Sequence, residues 1–141
     1  MPIITVKVAP HDPVPDLERA VAALAARAST EILRKRADLT AVLVERADPA
    51  AWFAGGASLA DQGRSSYWLE IRVVDGTNTK EEKEAFLAAI HDGMGHLLGD
   101  LHPESYVHVA EVSADAYGFG GLTQERRFVA GRLGVPPVPA A

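Results

Sequence analysis

The chain has 141 residues, of which 48% are hydrophobic and 23% charged, and this is enough apolar material for one folded domain. Its formal net charge of -5, with 14 scattered lysines and arginines, excludes a basic surface able to neutralise a run of nucleic-acid phosphates. The absence of cysteine excludes disulfides, thiolate nucleophiles and cysteine-based zinc sites.

The first half of the chain predicts a strand, a helix and a second strand. Residues 3–8 are β-branched and partly alternating, which indicates a strand with one buried face. Apolar residues recur at helical spacing from Asp16 to about Lys35, and residues 39–45 indicate a second strand. The stretch 49–63, which contains two consecutive glycines, is predicted to be a loop.

The second half repeats this order at a constant offset of 65 residues. It predicts a strand over 67–74, a helix over 81–98 and a strand over 106–112. Each half is then a β-α-β unit, whose right-handed crossover makes its two strands parallel. Two such units predict an α/β (α+β) fold, in which two helices cover one face of a four-stranded mixed sheet. The other face is left for oligomerisation to cover.

The repeat also predicts the domain organisation. We expect a single domain over 1–134, made of the repeats 2–65 and 67–130, followed by a proline-rich tail over 135–141 that is extended or disordered. The sequence contains no apolar run long enough to span a membrane, and its N-terminus does not read as a signal peptide. We therefore expect a cytoplasmic protein that binds neither membrane nor nucleic acid.

Several short motifs point to one protein family. A strand ends in Asp-Gly at 75–76, a helix opens with the charged run 80–84, and the sequence YGFGG follows at 117–121. The chain also begins with Met1-Pro2 at the edge of its first strand. In these features it resembles the tautomerase superfamily, specifically the 4-oxalocrotonate tautomerase group.

The resemblance implies both a fold and an assembly. Short members of the group have one β-α-β unit and form hexamers, whereas fused members have two units and form trimers. This chain is similar to the fused members, so the resemblance implies a tautomerase/MIF-like fold and a homotrimer.

Pro2 is the candidate catalytic residue. Removal of Met1 leaves a secondary amine, and burial or a nearby cation lowers the pKa of an α-amine from its reference range of ~7.7–8.0. Such an amine can act as a catalytic acid or base at neutral pH. Pro2 could instead simply begin a strand, where proline is tolerated because it need not donate a hydrogen bond. A retained Met1 would acylate the amine and abolish its chemistry.

The two substrate-binding arginines of the group do not carry over to this sequence. Their positions fall near Asp12 or the pair 77–78, and on Ala41 or Tyr106. We therefore expect another cation to bind a substrate carboxylate, because charge-assisted hydrogen bonds recognise carboxylates best.

The first candidates for this cation are Arg126 and Arg127, just beyond the glycine motif. Arg72 is the second candidate. Its position in the strand also suits a structural role beside Glu70 in a central channel of the trimer.

Three further residues are candidates for substrate binding. The resemblance assigns to Tyr117 the aromatic position at the floor of the site. Tyr106 and His108 stand two apart on a strand and share one face, where they could polarise a carbonyl or bind a carboxylate. Equally, this pair could face solvent or a cavity between subunits.

The predicted function is a proline-dependent tautomerase or isomerase that needs neither cofactor nor metal. The five histidines lack close zinc-ligand spacing, so no metal site is expected. The substrate is expected to be a small enol, 2-hydroxydienoate or keto acid. The alternatives are a dehalogenase, hydratase or decarboxylase of the same superfamily, or a noncatalytic oligomeric binding protein of the same fold.

Overall fold

The computed structural model describes residues 1–138, so residues 139–141 of the predicted tail lie outside the described part of the chain. The described residues form eight strands and four α-helices. The strands are β1 (Ile3–Ala9), β2 (Ala41–Arg46), β3 (Phe53–Ala54), β4 (Ala57–Ser58), β5 (Ser66–Val74), β6 (Tyr106–Val112), β7 (Gly118–Phe119) and β8 (Leu122–Thr123). The helices are α1 (Leu17–Glu31), α2 (Leu59–Gln62), α3 (Lys80–Leu98) and α4 (Gln124–Leu133).

The four long strands form one mixed sheet in the order β2-β1-β5-β6. Strands β1 and β2 are parallel, as are β5 and β6, and each pair is connected through a helix, α1 or α3. Between the pairs, β1 and β5 run antiparallel. The predicted four-stranded mixed sheet built from two β-α-β units is therefore confirmed.

The core lies between this sheet and the helices α1 and α3. Alternate residues of β1 and β5 are buried because successive side chains of a strand point to opposite faces. Each large apolar side chain buried in this way contributes about 1.5–3 kcal/mol. The two helices pack closely at Gly93, where an added Cβ would lie only 2.5 Å from the Leu24 Cδ1 atom.

The opposite face of the sheet is open in the single chain. It exposes large apolar side chains among charged and polar ones, which is the surface that the sequence predicts for oligomerisation. The exposed apolar side chains of this face are Ile3, Leu43, Trp68 and Tyr106.

The prediction of a loop over 49–63 is wrong in detail. A short 3-10 turn over Pro49–Ala51 leads into the hairpin β3–β4 and then into α2. The glycines at 55 and 56 adopt φ values of 64° and 87°, which form the turn of this hairpin. The Ser58 hydroxyl then accepts a hydrogen bond from the Asp61 amide and caps α2.

Helix α4 was not predicted from the sequence. Its N-cap is Thr123, whose hydroxyl accepts a hydrogen bond from the amide of Arg126. Only Ala130 of this helix is buried. The helix therefore lacks the apolar stripe from which an amphipathic helix is predicted.

Helix α1 ends earlier than predicted, at Glu31 instead of about Lys35. Arg34 adopts a left-handed φ of 56°, and the Lys35 amide turns back to donate to the Ser29 carbonyl at 3.0 Å. Residues 34–36 therefore belong to the connection that leads into β2, and they are not the last turn of a helix.

No helix of residues 1–138 has both the length and the apolar character needed to cross a membrane.

Candidate active site

Pro2 is buried at the start of the central strand β1. Its carbonyl accepts a hydrogen bond from the Ala41 amide at 3.2 Å, and on the other side the next residue, Ile3, pairs with Arg72 of β5. Because proline has no amide hydrogen, its nitrogen is not required as a donor in the sheet. The nitrogen is thus held in place while remaining free of backbone hydrogen bonding.

The Tyr117 hydroxyl lies beside this nitrogen. It donates to the Met1 carbonyl at 2.6 Å and accepts from the Ile3 amide at 3.1 Å. These partners are the residues immediately before and after Pro2, so the hydroxyl spans the proline. Burial raises the pKa of Tyr117 above its ordinary value of 10.0, which keeps the hydroxyl protonated and able to donate at neutral pH.

Tyr117 is positioned by the hairpin β7–β8 and the start of α4. The Gln124 amide donates to the Tyr117 carbonyl at 2.8 Å. The Arg127 guanidinium donates to the Phe119 carbonyl at 2.9 Å and stacks 3.7 Å above the centre of the Phe119 ring. At Gly118 an added Cβ would lie 2.0 Å from the Leu122 carbonyl oxygen, so the hairpin requires glycine there.

The N-terminus lies in a cationic environment. The pKa of the Met1 amine is lowered from its ordinary value of 8.0, first by partial burial and then by the positive charges of Lys35 and Arg36. The charge of Arg72 also acts on the Tyr117 hydroxyl, where it favours the ionised form. Three cations from two separate segments therefore influence the neighbourhood of Pro2.

These cations differ in their own partners. Arg36 forms an ion pair with Asp38 at 2.6 Å, and Arg72 forms one with Glu70 at 2.8 Å. Lys35 donates from Nζ to the Thr77 hydroxyl at 3.1 Å.

Of the predicted site residues, the fold brings Tyr117 and Arg72 to Pro2. Tyr106 and His108 lie elsewhere in the single chain, because Tyr106 pairs with Trp68, which is level with Lys7 at the other end of β1. Their assignment as substrate-binding residues stays a prediction, and it requires a neighbouring chain.

Tyr106 and His108 line a separate aromatic cavity of about 590 Å³ together with Trp52 and Trp68. The His108 Nδ1 atom lies 3.6 Å from a Glu70 carboxylate oxygen. In a single chain, Tyr106 and His108 thus lie on the open face of the sheet.

Arg126 and Arg127 take different positions on α4. Arg126 is exposed and lines a cavity of about 670 Å³ beside residues 135–138, whereas Arg127 is engaged with the hairpin. Arg127 therefore supports the segment that holds Tyr117. The assignment of both arginines to substrate binding stays a prediction.

Lys35 and Arg36 were not among the candidates from the sequence. Lys35 and Arg36 come at the end of a stretch with helical spacing. Positively charged residues at that position typically stabilise the C-terminus of a helix. The sequence did not indicate that α1 ends early, at Glu31, and this early end places the two side chains near the N-terminus of the chain.

The second unit has no equivalent amine. The residue at the offset of 65 from Pro2 is Tyr67, which is fully buried. Its hydroxyl is hydrogen-bonded to His91 Nδ1 at 3.0 Å. The arrangement around Pro2 therefore occurs in the first unit only.

Residues 1–138 contain no group of three or more histidine and acidic side chains placed to hold a metal ion.

No protein-family model matches the sequence, and no curated protein matches it either. Several solved structures match it in fold. A wild-type fused 4-OT, solved as a symmetric trimer, superposes with a TM-score of 0.74 and 15% identity over 87% of this chain and 96% of that chain.

Two further structures cover nearly the whole fold. Pt0534, inactivated by 2-oxo-3-pentynoate, has a TM-score of 0.76 and 13% identity over 89% of this chain and 98% of its own. The FG41 malonate semialdehyde decarboxylase, inhibited by 3-bromopropiolate, has a TM-score of 0.69 and 21% identity over 95% of this chain and 99% of its own. At such identities the likeness establishes a shared fold.

Proposed function

We propose, because the chain has the fold of the tautomerase superfamily, that it is a proline-dependent tautomerase or isomerase of a small enol, 2-hydroxydienoate or keto acid. Removal of Met1 frees the amine of Pro2, which moves a proton between carbon and oxygen positions of the substrate. The observation that carries this proposal is the Tyr117 hydroxyl, which is hydrogen-bonded on both sides of Pro2.

Removal of Met1 changes the hydrogen bonding of Tyr117. The hydroxyl loses the carbonyl to which it donates and keeps the Ile3 amide from which it accepts. Its proton then becomes available beside the new amine, where a substrate oxygen can accept it.

This arrangement suits a proton transfer in which Pro2 is the base and Tyr117 is the hydrogen-bond donor. The Pro2 amine takes a proton from substrate carbon, and the electron pair moves onto the neighbouring oxygen. The Tyr117 hydroxyl stabilises that oxyanion by hydrogen bonding, and the protonated amine then returns the proton to another position.

The surroundings of the N-terminus favour the uncharged form of an amine placed there. Burial lowers the pKa of the Met1 amine, and Lys35 and Arg36 lower it further. Pro2 is more deeply buried than Met1, and removal of Met1 would place the Pro2 amine close to the same two cations. Arg72, the predicted candidate on β5, supplies a further positive charge near the developing oxyanion.

We also propose that the working form is a homotrimer. The open sheet face exposes a set of large apolar side chains that a monomer leaves in water. The fused 4-OT structures similar to this chain include a symmetric and two asymmetric trimers. A trimer is also what could bring Tyr106 and His108 of one chain to the site of another.

A second candidate is decarboxylation of a 3-oxo acid. It is favoured by the FG41 decarboxylase, whose likeness extends over 95% of this chain. In that reaction the carbon–carboxylate bond breaks, the electron pair forms an enolate, and a proton is added to carbon. Release of carbon dioxide from malonate semialdehyde, measured beside an ultraviolet assay of enol ketonisation, distinguishes the two functions.

The test of the proline mechanism combines intact mass with Pro2→Ala. We expect the mass to lack Met1 and turnover of the variant to fall more than tenfold, about 1.4 kcal/mol of barrier, because its amine is primary and looser. The control is Pro13→Ala, which changes an exposed proline outside the strand and should keep normal activity.

Two results would contradict this mechanism. A retained Met1 in an active protein, or full activity of Pro2→Ala, would move catalysis to another group. A free Pro2 amine without turnover of any enol or 3-oxo acid would favour the noncatalytic binding protein.

A further inference from the structure

The second half of the chain holds a structural counterpart of the Pro2 site. Next to Pro2, Ile3 of β1 pairs with Ala41 of β2. At the offset of 65 residues, Trp68 of β5 pairs in the same register with Tyr106 of β6. The same pair of parallel strands therefore begins at equivalent residues in both units.

The aromatic residues that precede the two hairpins are also equivalent. The Leu59 amide donates to the Trp52 carbonyl at 2.9 Å, and the Gln124 amide donates to the Tyr117 carbonyl at 2.8 Å. These two hydrogen bonds join residues that are again 65 positions apart. Trp52 thus has, in the second site, the place that Tyr117 has beside Pro2.

The two sites differ in the residues that fill them. Buried Tyr67 takes the place of the proline, so the second site has no amine. Its walls are larger and aromatic, because Trp68 stands where the first unit has Ile3 and Tyr106 stands where it has Ala41. The result is the cavity of about 590 Å³ lined by Trp52, Trp68, Tyr106, Val107 and His108.

These walls suit a flat aromatic ring. Two indoles and a phenol offer apolar faces on which such a ring stacks, and the cavity volume lies within the range of about 300–1,000 Å³ that is usual for small-molecule sites. Trp52 is held in place because it packs against Ala9, Ala54 and Leu59. A wall fixed in this way loses little conformational freedom when a ligand binds.

The charges around the cavity favour an anion. The Lys7 ammonium lies 5.8 Å from the centre of the Trp68 ring, and no carboxylate of residues 1–138 lies within ion-pair distance of it. The carboxylate of Glu70 is already engaged, since it pairs with Arg72 and lies 3.6 Å from His108 Nδ1. Lys7 therefore attracts an anionic group and repels an organic cation.

We propose that this cavity is a second, non-catalytic binding site for a planar aromatic anion of one or two fused rings. The site goes beyond the function proposed for Pro2 and does not depend on it. Trp68 is level with Lys7, whereas Pro2 lies at the opposite end of β1. The second unit has thus exchanged an amine for an aromatic binding surface.

The test uses a label that the sequence confines to this cavity. The chain has two tryptophans, and both Trp52 and Trp68 line the cavity. Protein labelled with 5-fluorotryptophan therefore reports from this site through both of its fluorine NMR signals. The probes are 2-naphthoate and 2-naphthylmethylammonium, which share a ring system and carry opposite charges, and calorimetry measures their dissociation constants.

We expect 2-naphthoate to move both fluorine signals and to bind about threefold more tightly than 2-naphthylmethylammonium. The factor is modest because Lys7 is exposed to solvent, which screens its charge. Lys7→Gln should abolish this preference while leaving the aromatic walls in place. Lys80→Gln removes the same charge from an exposed lysine of α3 and should keep the wild-type preference.

Tyr106→Ala tests the aromatic wall. We expect the dissociation constant of 2-naphthoate to rise about tenfold, because one stacking surface is lost. Phe128→Ala is the matched control, since it deletes a ring that is 63% exposed on α4, where Tyr106 is 58% exposed on β6. Light scattering checks that both variants keep the wild-type assembly, and Lys7→Gln remains the test if Tyr106→Ala does not.

Three results would overturn the proposal. The first is that neither probe moves the fluorine signals at millimolar concentration. The second is that Pro2→Ala abolishes binding of 2-naphthoate, which would place the ligand at the amine. The third is that the signals move only when Leu43→Glu separates the chains, which would mean that a neighbouring chain fills the cavity. A chain without tautomerase activity that binds 2-naphthoate would leave this inference intact, because no measurement here involves turnover.

Discussion

The ring of Pro2, which closes on its own nitrogen, suits both the start of a strand and the proposed proton transfer. Proline has no amide hydrogen, so it can begin β1 without leaving a donor unpaired. Its ring would also fix the orientation of the amine if Met1 is removed, as we propose. In the proposed mechanism the Tyr117 hydroxyl, which accepts from the Ile3 amide, would then lie beside a rigid and buried amine that can exchange a proton.

The pH dependence follows from the groups around this amine. Burial, Lys35 and Arg36 lower the pKa of the Met1 amine, and after removal of Met1 the Pro2 amine would lie close to the same two cations. We expect kcat/KM to rise with pH through the pKa of the Pro2 amine and then to level off, because the free base is the active form in the proposed mechanism. Since the pKa of Tyr117 is raised above 10.0, ionisation of its hydroxyl lowers activity only in more alkaline solution.

A pH–rate profile of the protein lacking Met1 checks this expectation. A profile that falls across the same interval would mean that the protonated amine is the active form. The Pro2 amine would then act as an acid, as the decarboxylase alternative allows.

Tyr117→Phe tests the hydroxyl without removing the ring. We expect kcat to fall by about tenfold or more while KM changes little, because the hydrogen bond to the oxyanion forms in the transition state. Tyr106→Phe removes a hydroxyl from the open sheet face and should have a smaller effect on kcat. Equal losses in both variants would indicate that Tyr106 of a neighbouring chain shares the role.

At the scale of the element, the hairpin β7–β8 determines where Tyr117 lies. The hairpin is short, and its position depends on Arg127, on the start of α4 and on the space available at Gly118. This makes the site sensitive to changes that do not touch Pro2.

Gly118→Ala should disturb that hairpin. Its Cβ would lie 2.0 Å from a backbone carbonyl that cannot move aside cheaply, so we expect a loss of about 1–3 kcal/mol in stability and a marked loss of activity. Gly131→Ala is the matched control, because its Cβ meets nothing within 4 Å and it lies inside α4. It should raise stability by up to about 1 kcal/mol.

Thermal unfolding and steady-state kinetics of both variants decide this prediction. Normal activity in Gly118→Ala would mean that Tyr117 is held by contacts other than the hairpin.

At the scale of the whole molecule, the open face of the sheet exposes large apolar side chains that a single chain leaves in contact with water. A four-stranded sheet covered by helices on one side leaves its second apolar face to other chains. The charged side chains on this face, among them Glu70 and Arg72, already pair within one chain and would be buried together in a trimer.

Leu43→Glu should therefore dissociate the proposed trimer, because it would place a charge on the face that such an assembly buries. Leu43 is 52% exposed on β2, and Leu87, which is 39% exposed on α3, provides a matched change on the helical side. We expect Leu87→Glu to remain trimeric. Light scattering measures both, and a trimeric Leu43→Glu at micromolar concentration would show that another surface holds the chains together.

The sequence by itself determined the architecture, because the information lies in local periodicity and in the internal repeat. The alternation in β1 and the helical spacing in α3 each follow from which face of an element is buried. An offset without gaps then implies two copies of one unit. Motifs in which the chain resembles the tautomerase superfamily also made Pro2 and Tyr117 candidates; the structure places them side by side, and their catalytic roles stay predictions.

Only the tertiary structure decided which side chains meet. Lys35 belongs to a charged run that helical spacing assigns to α1, and its position beside the N-terminus depends on a left-handed turn at Arg34. Tyr106 is placed away from Pro2 by the pairing of β6 with β5. Periodicity reports which face of an element is buried, but distances between elements depend on register and on where each helix ends, and these are fixed by packing across the whole chain.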